Sequence, residues 1–319
     1  MRVAVPKTAI VLFNLGGPDG PDDVRPFLFN LFNDPAILPP PQPIRWLLAR
    51  LISGRRAPIA REIFAKMGGG SPLLANTRPQ AAALEHALAD LGEVQVFIAM
   101  RYWHPRAAKT VQAVKQFAPE RIVLLPLYPQ FSTTSSGSSL SDWHDHALRA
   151  RLDVPTVALC CYPSLGGFID TAVGAMIEAI REAAKTGPPR LLLSAHGLPQ
   201  RVIERGDPYE WQVERTARAL MKRLAELAPE LGPLESVVCY QSRATPEKWL
   251  QPDTQDEIRR AGSDGRAIVM VPVAFVSEHS ETLVELDMEY RELAQQAGVP
   301  GYVRVPTAGV AQGFIAGLA

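Results

Sequence analysis

Eight short apolar runs punctuate this chain, and they constrain its fold more than any other feature of the sequence. They lie at 9–13, 94–99, 122–127, 156–160, 191–193, 237–239, 268–273 and 302–305. Apolar runs of this length without polar alternation are typical of strands that are covered on both faces. Apolar residues recur at helical spacing between them, within 84–91, 169–180 and 213–227. This alternation predicts an α/β fold of parallel sheets flanked by helices.

The second half of the chain repeats motifs of the first half in the same order. Ile-Val-Leu-Leu-Pro-Leu at 122–127 resembles Ile-Val-Met-Val-Pro-Val at 268–273, and Asn-Leu-Gly-Gly-Pro at 14–18 resembles Ala-His-Gly-Leu-Pro at 195–199. Such repeats indicate an internal duplication, although proline and glycine also follow strands in unrelated α/β proteins. We therefore predict two similar Rossmann-like lobes, 1–155 and 156–319, with the active cleft between them.

Charge and cysteine content exclude several classes of protein. Lys plus Arg and Asp plus Glu are both 33, so no net charge attracts nucleic acid or anionic lipid. Cys160 and Cys161 are adjacent and Cys239 is distant, which fits neither a disulfide framework nor a CxxC metal pair. No signal-like segment opens the sequence, and no apolar run reaches the roughly 18 residues of a membrane span. We expect a cytoplasmic protein that does not bind nucleic acid.

His196 is the first candidate for acid–base or metal chemistry. It follows the apolar run at 191–193 and precedes Gly197, which puts an imidazole at a strand end beside a turn. Parallel α/β sheets bind their ligands beyond such strand ends. A neutral imidazole binds iron or zinc and exchanges protons near neutral pH. Isolated histidines are often structural, so both roles stay open at this stage.

An acidic helix is predicted after the run at 268–273. Glu281, Glu285 and Glu289 recur every four residues and so share one face of an α-helix. Like charges at this spacing cost about 0.2–0.5 kcal/mol per pair, and no lysine offsets them. Glu281 lies in the first turn, where the helix dipole favours an ionised carboxylate. The acidic face is either a solvated surface or the binding surface of a cation.

Two further segments have a composition suited to ligand binding. Residues 128–139 are rich in hydroxyls but lack the spacing of a P-loop, so we expect them to bind a carboxylate rather than a nucleotide. Residues 27–52 combine Phe, Leu, Ile and Trp46 with a run of three prolines. This segment is too short and interrupted to cross a bilayer. It is either an apolar lip for a flat ligand or a membrane surface, or a helical hairpin packed into the core.

Taken in order, these motifs resemble those of the ferrochelatase family along nearly the whole chain. The matching segments are Leu-Phe-Asn-Leu-Gly-Gly-Pro at 12–18, Gly-Gly-Gly-Ser-Pro at 68–72, Arg-Tyr at 101–102, Tyr-Pro-Gln at 128–130, Ser-Ser-Leu at 138–140, Ser-Ala-His-Gly-Leu-Pro at 194–199, Arg-Gly-Asp-Pro-Tyr at 205–209, Gln-Ser-Arg at 241–243 and Ser-Glu-His with Glu-Thr-Leu within 277–283.

The resemblance implies two chelatase lobes and a lyase that inserts ferrous iron into protoporphyrin IX, the last step of haem biosynthesis. It implies that His196 and Glu281 face each other at the metal-insertion site and that Glu285 and Glu289 continue an acidic track. We expect the imidazole and the acid to hold opposite sides of a distorted macrocycle, one taking protons and the other the ion. The porphyrin pocket implied by the resemblance comprises Leu15, Arg56, Ser71, Arg101, Tyr102, Tyr128, Ser132 and Phe275.

The resemblance also bears on partners and cofactors. Porphyrin and ferrous iron are expected as substrates of a monomer without a tightly bound cofactor. Animal members carry a cysteine-bearing iron–sulfur extension, whereas no cysteine follows Cys239 here, so no iron–sulfur cluster is expected. Peripheral contact with the inner membrane face is expected only through residues 27–52. Coproporphyrin as substrate, cobalt insertion into a corrin precursor and a non-catalytic haem carrier are the open alternatives.

Overall fold

The computed structural model describes residues 6–243 and 247–319, in which eight strands form two separate, fully parallel sheets. The first contains β1 (Thr8–Asn14), β2 (Val94–Met100), β3 (Arg121–Pro126) and β4 (Thr156–Ala158), in the order β2-β1-β3-β4. The second contains β5 (Pro189–His196), β6 (Glu235–Gln241), β7 (Ala267–Pro272) and β8 (Tyr302–Arg304), in the order β6-β5-β7-β8. Each predicted run forms a strand, and the equal strand orders confirm two similar α/β lobes.

Helices connect the strands of both sheets. The first half contains α1 (Val24–Phe32), α2 (Ile44–Ala65), α3 (Leu73–Ala87), α4 (Ala107–Phe117) and α5 (Ser138–Arg149). The second half contains α6 (Gly166–Ala183), α7 (Gln200–Glu204), α8 (Tyr209–Leu227), α9 (Thr254–Ser263), α10 (Tyr290–Gln296) and α11 (Gln312–Leu318). The periodic segments at 169–180 and 213–227 fall in α6 and α8, whose apolar stripes are buried. The segment at 84–91 runs from the end of α3 into a 3-10 turn at Ala89–Leu91, where Leu91 is exposed.

Each sheet has its own hydrophobic core. All residues of β1 and β7 are buried, as expected for uninterrupted apolar strands inside parallel sheets. Val11 and Phe13 pack with Trp143 of α5 in the first half. Leu192 and Met270 pack with Ile258 of α9 and other residues in the second half. These cores fix the strand ends from which the site residues project.

The chain divides into two compact units, and the division lies after Cys161. The second unit comprises Tyr162–Leu318. We predicted a boundary near residue 155, which would assign the run at 156–160 to the second lobe. That run instead forms β4, which pairs with β3 through Ile122–Thr156 and the two following residue pairs. Strand pairing therefore moves the boundary toward the carboxyl terminus.

Residues 27–52 form a helical hairpin of α1 and the start of α2. Val24, Phe27 and Leu28 of α1 are buried with Ala57 and Phe64 of α2 in one cluster. The outer face of the hairpin still exposes large apolar side chains, namely Ile44, Trp46, Leu47, Leu51 and Ile59. No described helix is both long and apolar enough to span a bilayer. The hairpin interpretation is confirmed for one face, and the other face retains the apolar character that a lip requires.

In each sheet, a π-helix follows the third strand along the chain. Thr133–Gly137 follows β3, and Glu281–Glu289 follows β7. The prediction of an α-helix from Glu281 onward was wrong for its first two turns, since α10 begins only at Tyr290. A four-residue spacing of side chains does not distinguish the two helix types. The i→i+5 bonds of π-helices are rare and frequent at functional sites, which draws attention to this segment.

Candidate active site

The second sheet brings His196 and Glu281 together through its strand order. His196 is the last residue of β5 and pairs with Gln241, the last residue of β6. On its other side β5 pairs with β7, so that Ser194 lies beside Pro272. Because the carboxyl ends of parallel strands meet at one edge, the segment after β7 approaches the end of β5. That segment carries Glu281.

His196 and Glu281 form a direct hydrogen-bonded ion pair. Nδ1 of His196 lies 2.8 Å from Oε2 of Glu281, and the side chains are 37% and 23% exposed. The two side chains therefore face each other, and their role at a metal-insertion site stays a prediction. The expectation that they hold opposite sides of a macrocycle is wrong for this structure, because no ring fits between atoms 2.8 Å apart. They present a nitrogen and an oxygen as one adjacent pair.

The charges of this pair shift both pKa values in opposite directions. Burial alone would lower the pKa of His196, but the Glu281 carboxylate, with a smaller contribution from Glu285, raises it above its ordinary value. Burial alone would raise the pKa of Glu281, but the His196 imidazole lowers it to about 2. The pair therefore favours the imidazolium–carboxylate state. The imidazole must lose its proton before it can bind a metal ion or accept another proton.

Glu285 is held by four hydrogen-bond donors. Its carboxylate accepts bonds from Nε2 of Gln241, from the backbone N–H of Ser242 and from the Tyr290 hydroxyl, each at 2.9 Å. The Ser242 hydroxyl donates a fourth bond. Ser242 has a φ of 65°, and in this left-handed conformation both its N–H and its hydroxyl reach Glu285. Burial and the charge of Glu281 raise the pKa of Glu285.

The three predicted acidic residues differ in their surroundings. Glu281 pairs with His196, Glu285 is enclosed by its donors, and Glu289 is exposed at the end of the π-helix. The charge of Glu281 raises the pKa of Glu285. The segment thus leads from an exposed carboxylate to the histidine, as an acidic track requires, and a role in iron transfer stays a prediction.

Two residues beside the pair received no role in the sequence analysis. Tyr209 donates its hydroxyl to the backbone carbonyl oxygen of His196 at 3.0 Å, which fixes the end of β5. His279 is buried, and its charge also lowers the pKa of Glu281. The centroid of the His279 ring lies 4.8 Å from that of Phe275, so this predicted pocket residue packs against His279. The Ser-Glu-His motif at 277–279 was the sequence signal for His279.

In the first unit, Arg101 and Tyr102 belong to a buried network centred on Asp34. Asp34 Oδ2 accepts bonds from Arg101 Nη2 and the Tyr102 hydroxyl, both at 2.8 Å, and from the Ser138 hydroxyl. Arg101 Nε also donates to Ser138 Oγ at 2.6 Å. Tyr102 is 1% exposed, so the structure places it in the core rather than on an accessible wall. Asp34 has no signal in the sequence, since one carboxylate in a loop has no periodic signature.

The other predicted pocket residues of the first unit lie mostly after β1 and β3. Leu15 follows β1, and Ser71 binds the same loop through its backbone N–H to the Pro18 carbonyl oxygen at 2.7 Å. Tyr128 follows β3, and burial raises the pKa of its hydroxyl. Ser132 caps the following π-helix by accepting a bond from the Thr134 N–H. Arg56 is on α2, 5.8 Å above the ring of Phe32. Their joint lining of a porphyrin pocket stays a prediction.

Comparisons with known proteins agree with this arrangement. A family model described as Ferrochelatase matches residues 7–319. The ferrochelatase of Caulobacter vibrioides strain NA1000 is 54% identical over 316 residues, which cover 98% of this chain and 88% of that protein. The ferrochelatase of Phenylobacterium zucineum is 52% identical, covering 98% and 90%. That of Pelagibacter ubique is 46% identical, covering 97% and 88%.

Solved structures support the fold alone. SirB from Bacillus subtilis with Fe3+ superposes with a TM-score of 0.54 at 14% identity, covering 98% of this chain and 92% of SirB. DR2241 from Deinococcus radiodurans, described as similar to chelatases, has a TM-score of 0.52 at 11% identity, covering 98% of this chain and 54% of DR2241.

Proposed function

This chain belongs to the ferrochelatase family, lyases that insert iron into porphyrin in haem synthesis, and on that premise we propose that its substrate is protoporphyrin IX and its product protohaem. The observation that carries the proposal is the pair of His196 and Glu281 at the carboxyl edge of the second sheet. A neutral imidazole and a carboxylate are suitable ligands of ferrous iron and suitable acceptors of pyrrole protons.

The charge state of the pair suggests the order of events. Insertion requires two pyrrole protons to leave and the ion to lose water. Since the resting pair favours imidazolium, one proton must leave His196 first. We propose that an approaching ferrous ion, which Glu281 attracts, displaces this proton to water. His196 then has a lone pair available, and one member of the pair holds the ion while the other accepts the two pyrrole protons in turn, releasing the first to water before it takes the second.

Binding energy has a second role in the proposed mechanism. A flat porphyrin does not present four nitrogen lone pairs to one face, whereas a saddled one does. A site that binds the saddled ring better than the flat ring directs binding energy into this distortion. Because His196 and Glu281 are adjacent, we propose that both act on the same face of the ring.

Glu285 and Glu289 are proposed to guide ferrous iron to this pair. Glu289 is exposed and would meet hydrated iron first. Glu285 is enclosed by donors from Gln241, Ser242 and Tyr290, so it would bind iron only by exchanging some of these bonds. Glu285 is therefore expected to affect the rate at which ferrous iron reaches His196 and Glu281, rather than the insertion step itself.

We also propose that the enzyme acts as a monomer without a resident cofactor or iron–sulfur cluster, in the cytoplasm. Peripheral membrane contact would use the outer face of the hairpin. There Ile44, Trp46 and Leu47 are exposed beside the exposed Arg50, a combination suited to an anionic lipid surface. Exposed apolar side chains of this kind would also receive a hydrophobic porphyrin.

An anaerobic fluorescence assay tests the proposed function. Ferrous iron is added to protoporphyrin IX and to coproporphyrin in parallel, and loss of porphyrin fluorescence is followed with the wild-type chain and His196→Ala. We expect turnover of protoporphyrin IX by the wild type only, with porphyrin binding retained in the variant. Faster turnover of coproporphyrin would refute the substrate assignment, and near wild-type turnover by His196→Ala would refute the site. Tight haem binding without metallation would identify a carrier instead.

A further inference from the structure

Cys160 and Cys161 form a pair of adjacent thiols at the end of the first unit. Their sulfur atoms are 2.8 Å apart. Cys160 is exposed and Cys161 is partly exposed, whereas Cys239 is buried in the second sheet. The pair follows β4, and the backbone N–H of Leu159 still donates to the carbonyl oxygen of Leu124 at 2.9 Å. The sheet therefore holds the chain directly before the thiols.

Covalent geometry favours the dithiol form of this pair over a disulfide. Disulfides usually join Cα atoms about 4.4–6.8 Å apart, whereas adjacent Cα atoms across a trans peptide are about 3.8 Å apart. A bond between Cys160 and Cys161 would be strained, and strained disulfides are readily reduced. Both sulfurs are thus expected to remain thiols under reducing conditions.

Two convergent thiols are a chelating ligand for a soft acceptor. A metal–sulfur bond of about 2.3 Å, as for zinc, lets one centre bind sulfurs up to about 4.6 Å apart, and the observed separation is well within this reach. Among the described residues no group of three or more His, Cys, Asp or Glu side chains could hold a metal ion. The described residues therefore do not form a four-ligand zinc site. The thiol pair suits a centre that needs only two protein sulfurs.

We propose that Cys160 and Cys161 form a two-sulfur site for soft, thiol-seeking centres such as trivalent arsenic or Cu(I). Soft sulfur ligands select such centres, whereas the nitrogen and oxygen of His196 and Glu281 suit borderline ions such as ferrous iron. With phenylarsine oxide as probe, both thiol S–H bonds break and two As–S bonds form. The arsenic oxygen leaves with the two protons as water, and no atom changes its oxidation state.

Native mass spectrometry of the full chain tests the proposal. The reduced protein is treated with one equivalent of phenylarsine oxide and then challenged with excess 2-mercaptoethanol or with 2,3-dimercaptopropanol. The wild type should keep one arsenical against the monothiol and lose it to the dithiol. Cys160→Ser and Cys161→Ser should each release the arsenical to the monothiol. Each variant should bind the arsenical at least about 100-fold more weakly than the wild type does, because chelation typically strengthens binding by that factor or more.

Cys239→Ala is the matched control and should behave as the wild type, because Cys239 is buried within the second sheet. If this variant does not fold, peptide mapping of the wild-type adduct locates the arsenical instead. Equal retention by either serine variant, absence of an adduct in the wild type, or an adduct on Cys239 would overturn the proposal. A disulfide between Cys160 and Cys161 would also overturn it. This bond would appear, after isolation of the chain in reduced glutathione, as the loss of two hydrogens from the peptide that contains residues 160–161.

Discussion

Replacing Glu281 by Gln should lower the pKa of His196. In the wild type the Glu281 carboxylate 2.8 Å from Nδ1 outweighs the effect of burial, so removing its charge leaves burial and the weaker influence of Glu285. An opposite charge at this distance typically shifts a pKa by about 1–3 units. The His196 side chain is 37% exposed, so water partly screens the Glu281 charge, and the pKa of His196 should decrease by less than it would at a fully buried pair.

Nuclear magnetic resonance titration of the imidazole Cε1–H signals measures this change, with His196→Ala identifying the resonance. Glu289→Gln is the matched control, since Glu289 is exposed and does not contribute to the shift of His196. An unchanged His196 titration in Glu281→Gln, or an equal shift in Glu289→Gln, would refute the ion-pair interpretation. Iron insertion should also rise with pH as the wild-type His196 loses its proton.

The same pair makes a pH-dependent contribution to stability. The pKa of Glu281 is lowered, so its contribution is present above its ordinary value near 4.5 and is lost as pH falls toward about 2. The pKa of His196 is raised, so its contribution is present below the ordinary value of 6.5 and is lost as pH rises through the folded-state pKa. The difference in unfolding free energy between wild type and Glu281→Gln should thus be largest between pH 4.5 and 6.5.

Three further predictions concern the acidic track, the buried network and metal choice. In steady-state assays Glu285→Gln and Glu289→Gln should slow iron insertion less than Glu281→Gln does, and the reverse order would remove the proposed track. Asp34→Ala should reduce the free energy of unfolding in urea by about 3–5 kcal/mol, because the buried Arg101 then keeps only its longer ion pair with Asp142, at 3.5 Å. Asp142→Ala leaves the 2.8 Å pair of Arg101 with Asp34 intact and should cost about 1 kcal/mol or less. Zn2+ or Co2+ should replace ferrous iron in vitro, as changes in the porphyrin absorbance would report, since nitrogen and carboxylate ligands bind these ions too.

The sequence predicted the strands and the duplication because both depend on local patterns. A strand covered on both faces requires an apolar run, and the runs at 122–127 and 268–273 coincide with β3 and β7 to within one residue at each end. The position of His196 followed from the same pattern, since a strand end is visible in sequence. The boundary near 155 was less predictable, because pairing of β4 with β3 is a contact between distant residues.

Side-chain geometry was harder to predict than the fold. The spacing of Glu281 and Glu285 fits both an α-helix and a π-helix, and only the hydrogen bonds of the structure separate the two. Similarly, the order of the motifs could indicate that His196 and Glu281 lie close together. It could not indicate that the two side chains are directly hydrogen-bonded rather than placed on opposite sides of a macrocycle. Asp34 was missed because its importance comes from Arg101 and Tyr102, which lie 67 and 68 residues away along the chain.

The repeated strand order has a consequence for how chemistry is divided along the chain. By strand register Leu15, the first residue after β1, corresponds to His196, because Phe13 pairs with Pro126 as Ser194 pairs with Pro272. A π-helix of hydroxyl residues follows β3 where an acidic one follows β7. The Leu15 side chain has no group that can bind a metal ion or exchange a proton. The backbone thus provides two equivalent strand ends, and the identity of one terminal side chain decides which of them can exchange protons.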